Sequence, residues 1–157
     1  MLATPTASDV GFRAAMAGVA AAVAVVTVID RGRPRGCTIS SLTSLSLDPP
    51  LLLFCLAKDS GTHTAFDAAT RFSVSVLGAE QADVAHRFAG PVSGRDADWC
   101  WLDGLPVVPG SLVWIACSVH DRMVGGDHTI LVGRVGRARA RDGAPLVHHQ
   151  RGYHTLH

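Results

Sequence analysis

The sequence predicts a mainly β protein, an antiparallel barrel with short accessory helices. Two observations predict it. Strand-like runs rich in Val, Ile, Leu, Thr and Phe dominate the chain, joined mostly by hairpin-length connections. No G-x-G-x-x-G follows any of these runs, so the fingerprint of a doubly wound nucleotide fold is missing.

Along the chain, Phe12 to about Ala20 predicts a helix. It runs into a buried strand from about Val23 to Ile29, where the β-branched residues begin, and Asp30-Arg31-Gly32 turns the chain. The apolar stretch 14–29 is shorter than the roughly 20 residues a membrane-spanning helix needs. Asp9 against Arg13 leaves no positive segment ahead of it, so it does not read as a signal peptide. Further strands are expected near 35–41, 51–57, 71–77, 112–120 and 127–139, with a last short one near 145–149. Asp48-Pro49-Pro50 marks a turn into Leu51. A helix is expected over 62–69, behind Gly61 with Thr62 as its N-cap. A second fits 79–88, where Ala79, Ala82, Val84, Ala85 and Phe88 share one side. Residues 89–107 are rich in Gly, Pro, Asp and Trp and read as a long ordered loop, of the kind that serves function or covers a partner.

A length of 157 residues predicts one domain, 1–157, able to bury roughly two-thirds of its unfolded surface. With 48% hydrophobic residues it reads as folded and globular. A net charge of +1 offers no basic footprint for nucleic acid, and Arg134, Arg137 and Arg141 read as a solvated strand face. No membrane association is expected. Cys37, Cys55, Cys100 and Cys117 have no C-x-x-C spacing, and all but Cys100 sit in apolar runs. This is the pattern of reduced cysteines in a cytoplasmic protein. His148, His149, His154 and His157 match no metal-binding spacing, and no G-x-S-x-G elbow supports hydrolysis, so neither a metal nor a serine nucleophile is expected.

Four segments carry chemistry. Residues 38–46 hold six Ser and Thr in nine positions, either a hydroxyl-lined cradle for a phosphorylated ligand or simply a Thr-rich strand pair. Ala57-Lys58-Asp59-Ser60-Gly61-Thr62 supplies a cation and donors entering a helix, which suits a phosphate as well as an ordinary helix start. His86-Arg87-Phe88 offers a phosphate clamp and an aromatic face, or a helix end with a core Phe. Gly125-Gly126-Asp127-His128 is a hairpin turn that can also set His128 at the mouth of a site.

Taken in order, the stretches FRAAMAGVAAAVAVVTV, GCTISSLTSLSLDPPLLLFCLAKDSGTHTAF, RFSVSVLGAEQADVAHRFAG, GGDHTILVGRV and PLVHHQRGY resemble the flavin reductase-like family over Phe12–Tyr153. These are short-chain NAD(P)H:flavin oxidoreductases with a split β-barrel. They include the reductase components of two-component flavin monooxygenases. The resemblance implies a homodimer with FMN or FAD in a groove near the subunit interface, and NADH or NADPH as hydride donor. Gly36, Thr38, Ile39, Ser40 and Ser41 would lie along the flavin ring and ribityl chain. Ala57, Lys58 and Ser60 would meet the phosphate, joined by Arg87 and Phe88. His128, the catalytic candidate, would line the nicotinamide side with Tyr153 nearby. Apart from the resemblance, the loop 90–105 with Trp99 and Trp101 is a candidate to cover a partner copy. Reduced flavin would pass by diffusion to a monooxygenase. The chain departs from the family pattern in three places: Ala21-Ala22 stands where a Thr-Gly usually precedes the first valine run, His148-His149 replaces an aromatic pair, and the segment between Gly90 and Leu105, with Trp99 and Trp101 flanking Cys100, is particular to this chain. Two other functions fit the same barrel. One is an oxidoreductase that retains its flavin and acts on another substrate, marked by tightly copurifying flavin. The other is a non-enzymatic flavin binder, marked by no NADH turnover.

Overall fold

Val23 to Val28 form an unbroken run of buried residues, because elements cover both faces of the strand they build. The computed structural model describes residues 9–90 and 97–156. In chain order its elements are α1 (Asp9–Ala17), β1 (Ala21–Ala22), β2 (Ala24–Asp30), β3 (Arg33–Ile39), β4 (Thr43–Leu47), β5 (Pro50–Ala57), α2 (His63–Ala68), β6 (Arg71–Val76) and α3 (Ala82–Ala89). There follow β7 (Cys100–Leu102), β8 (Leu105–Val107), β9 (Val113–Gly125), β10 (His128–Ala140), β11 (Leu146–His149) and β12 (Gly152–Thr155).

The main sheet has seven strands in the order β3-β2-β6-β9-β10-β5-β4, antiparallel at every step. Two smaller sheets, β1-β11-β12 and β7-β8, attach to it. The main sheet rolls into a barrel whose edges do not pair as strands, so it remains split. Its interior holds Val26, Val28, Ile39, Leu52, Phe54, Leu56, Phe72, Val74 and Leu131, drawn from alternate strand positions, with Phe66 of α2 packed among them. Phe54 meets Phe72 edge-on at 5.3 Å and Phe66 at 5.9 Å. On the other face of β2, Val23 and Val25 pack with Ala85 and Phe88 of α3 and with Val108 and Leu146.

The expected strands are present, with ends displaced by a few residues. Four differences have physical reasons. The first helix spans 9–17 rather than 12–20, because Ala21-Ala22 is drawn into a strand by Val147 and His148 of β11. The helix expected over 79–88 begins only at Ala82. Gln81 occupies its N-cap position, and its side chain accepts from Gly78 N and donates to Pro109 O. Thr62 precedes α2 without a side-chain cap; its hydroxyl bonds Ser60 instead. The long loop contains the β7-β8 hairpin, and Ser73 and Ser75 of β6 bond the backbone of Pro106 and Val108, respectively, holding this segment against the sheet. Residues 91–96 of that loop lie outside the described residues. Strand β12 is not among the expected elements, and β4 matches the strand-pair alternative for 38–46. The turns Arg31-Gly32 and Asp103-Gly104 both take positive φ, the conformation two-residue hairpins require and glycine adopts without strain.

Arg122 secures the helix beside the site. Its guanidinium donates to Phe66 O and Ala69 O, carbonyls at the C-terminal end of α2. Arg122→Ala removes these charge-assisted bonds and is expected to destabilise the fold by about 2 kcal/mol. Denaturant unfolding checks this; a midpoint within error of the parent would refute it.

Candidate active site

The split in the barrel forms the candidate site. β3 is one edge of the main sheet and β5 lies next to the other edge. A groove of about 210 Å³ opens between their C-terminal ends. It is lined by Cys37, Thr38, Ile39, Ser40, Ser41, Cys55, Leu56, Ala57, Ser60 and His128. The Ser41 hydroxyl accepts from Cys55 N at 2.9 Å and donates to Cys55 O at 3.1 Å. One side chain thus stitches the split at the point where no ladder crosses it. Thr38 Oγ1 donates to Ala85 O at 2.7 Å and ties β3 to α3. Ser60 Oγ bonds the Thr62 hydroxyl at 3.0 Å and lies 3.9 Å from Cys37 Sγ. Ser40 is exposed, and its hydroxyl makes no bond among the described residues.

His128 opens β10 directly opposite Ala57 of β5, which sets its ring at the groove mouth. Its Nδ1 lies 2.7 Å from Asp127 Oδ1. With Nδ1–H donating to this carboxylate, Nε2 is left free for the groove. The hydrogen bond and the charge of His128, in that order, hold the Asp127 carboxyl below the usual carboxylate range. Lys58 fixes the turn that carries this pair: its backbone N donates to Asp127 O at 2.9 Å and its Nζ to Gly126 O at 2.7 Å. One residue past His128, Thr129 Oγ1 bonds His63 Nε2 of α2 at 2.8 Å.

The fold therefore brings Thr38, Ile39, Ser40, Ser41, Ala57, Ser60 and His128 together, and leaves the other expected residues outside the groove lining. Gly36 faces Phe88: an added Cβ would lie 2.9 Å from its ring, so this glycine admits α3 to the sheet. Phe88 is 2% exposed and packs on Trp99, which makes it a core residue within this chain. Arg87 is exposed in the last turn of α3. The Lys58 ammonium turns to the Gly126 carbonyl. Tyr153 stacks edge-on with His86 at 4.9 Å and His148 at 5.9 Å, and burial pushes its phenol above the ordinary value. Tyr153 thus belongs with the small β1-β11-β12 sheet. There two of the departures from the family pattern are neighbours, Ala21 pairing His148.

Sequence reasoning missed Cys37, Cys55 and Leu56 as groove residues. The strand period held a signal for Cys55, since it shares a face with Ala57. All four cysteines sit in strands, Cys100 included, but only Cys117 is fully buried, and burial pushes its thiol up to about 12.

The model of the flavin reductase like domain matches residues 16–157. A protein of Agrobacterium fabrum named FMN reductase (NADH) SmoA is 45% identical over 142 residues, covering 86% of this chain and 79% of its own length. The reductase component of a 4-nitrophenol 4-monooxygenase/4-nitrocatechol 2-monooxygenase from Rhodococcus opacus is 38% identical, covering 88% of this chain and 76% of its own. Among solved structures, the Streptomyces globisporus C-1027 NADH:FAD oxidoreductase SgcE6, in complex with NAD and FAD fragments, superposes with a TM-score of 0.89 at 33% identity. That match covers 94% of this chain and 92% of the other. The chain spans 41% and 51% of the lengths of two Rhizobium meliloti relatives. The chain belongs to the flavin reductase-like domain family. Among the described residues, no helix is long and apolar enough to cross a membrane.

Proposed function

We propose that this protein is an NADH-dependent flavin reductase that supplies reduced FMN or FAD to a monooxygenase component, with the flavin held in the groove between β3 and β5. The observation that carries the reading is the groove itself. Backbone and hydroxyl groups of 37–41 face Ala57 and Ser60 across the split, and an Asp127-oriented His128 stands at the mouth. The names of the relatives, NADH-dependent FMN reductase and monooxygenase reductase component, support it. The flavin and nicotinamide supply the hydride chemistry. This chain aligns the two rings, excludes water and orients His128 through Asp127. NADH oxidation with added FMN or FAD, followed at 340 nm with NADPH in parallel, tests the reading. No flavin-dependent turnover would leave a binding barrel, and tightly copurifying flavin with slow turnover would favour an oxidoreductase that retains its flavin.

At about 210 Å³ the groove is smaller than the roughly 300 Å³ at which sites for drug-sized ligands begin, so it encloses only part of a flavin. A second copy of the chain would cover the rest. Leu45, Leu47, Met123 and Val124 are exposed apolar residues on β4 and at the β9 tip, with Leu47 94% exposed, and Trp101 is exposed on β7. Trp99 packs on Phe88 of its own chain, so of the loop's two tryptophans only Trp101 is free to reach a partner. Light scattering at micromolar concentration is expected to give twice the 16.5 kDa chain mass. A monomer with full activity would refute the homodimer.

Lys58 retains two ammonium protons beyond its bond to Gly126 O, so it can meet a flavin phosphate while holding the turn. Lys58→Ala is expected to raise KM for FMN about tenfold or more and to leave riboflavin nearly unchanged. Equal losses for both flavins would assign Lys58 to the turn alone.

A further inference from the structure

Remote from the flavin groove, the strap Val108–Leu112 crosses the far end of the β9-β10 hairpin. It leaves a cavity of about 300 Å³ lined by Gly110, Ser111, Leu112, Trp114, Arg139, Ala140 and Arg141. Arg139 lies eleven residues beyond His128 on β10, on the order of 30 Å along the strand. Trp114 and Arg139 are directly opposed on β9 and β10 and so project from one face. The Trp114 indole donates to Val108 O at 2.8 Å, which fixes its ring as a wall of the cavity. Arg141 is committed to the strap: it donates to Gly110 O and Ser111 O and lies 3.7 Å from Glu80. Arg139 is exposed and has no hydrogen bond or ion pair among the described residues. An apolar cavity with one fixed aromatic wall and one unspent guanidinium is built for a flat apolar body bearing an anion.

We propose that this cavity is a second binding site, for a small aromatic carboxylate of one or two rings. The ring lies against Trp114 and Leu112, and the carboxylate is met by Arg139. The ligand is bound and not transformed there: among the described residues, no thiol, imidazole or carboxylate lines the cavity. The site shares no residue with the flavin groove, so both can be occupied together.

Isothermal titration of the purified protein with 2-naphthoate, and with the uncharged 2-naphthalenemethanol, tests this, each with and without saturating FMN. Naphthoate is expected to bind saturably in both conditions, at least tenfold tighter than the alcohol. Arg139→Gln, an exposed strand position, is expected to weaken the acid about tenfold and leave the alcohol and flavin reduction unchanged. Absence of saturable binding, equal affinity for acid and alcohol, displacement by FMN, or an unchanged affinity in Arg139→Gln would each overturn the proposal. Closure of the cavity by a second copy of the chain would appear as the first of these.

Discussion

Gly133→Ala is expected to lower stability by about 3 kcal/mol, the upper end of the usual cost of overpacking a core, and to lower Tm by about 10 °C. Gly133 lies in β10 between Leu52 of β5 and Val119 of β9. A Cβ there would collide with Phe72 Cζ at the ring's edge, 2.9 Å from Phe72 Cε1 and 3.1 Å from the Cβ of Cys117. Phe72 cannot swing aside, because it is fully buried and held edge-on by Phe54 at 5.3 Å. Thermal and denaturant unfolding read the loss. The mechanism has its own check: in the double variant with Phe72→Leu the two costs should add to less than their sum by about 1 kcal/mol or more, since the shorter side chain vacates the disputed space. Simple additivity would show that the Phe72 ring is not the obstacle.

His128→Ala is expected to lower kcat/KM for NADH about ten- to a hundredfold while flavin affinity stays unchanged, the scale of one or two hydrogen bonds in a closed site. The ring stands at the groove mouth with Nδ1 committed to Asp127, so only Nε2 can address a ligand. A solvated turn residue would instead be silent, within about 0.5 kcal/mol in stability and kinetics. If the contact forms only in the transition state, kcat and kcat/KM fall together; if it serves binding throughout, KM alone rises. Steady-state kinetics with NADH varied at saturating FMN distinguishes these. Unchanged NADH kinetics would remove His128 from the nicotinamide side.

Much of the site was legible because it is local. The groove residues 38–41, 57, 60 and 128 fall in short segments, and strand alternation with turn chemistry is enough to put them at strand ends. What was not legible depends on partners distant in sequence. Gly36 and Phe88, read as ligand contacts, meet each other 52 residues apart in the chain, because α3 must approach β3 closely to bury Phe88. Thr38 and Ser41 stand in the groove as expected, yet their hydroxyls bond Ala85 O and the Cys55 backbone. The same hydroxyl density therefore serves both cradle and seam.

Residue types and their two-residue period, which act over neighbouring positions, are enough to establish the antiparallel β class and the positions of most strands. They also establish the turn that carries Asp127 and His128. Only the folded chain shows where the sheet splits, that Ser41 bonds across the gap, that Lys58 holds the 125–128 turn, and that Tyr153 packs on His86 and His148 and Phe88 on Trp99. These are long-range pairings. Which groups meet depends on how the rolled sheet brings remote strands together, and many hydrogen-bonding and packing partners are locally equivalent until the whole barrel selects among them.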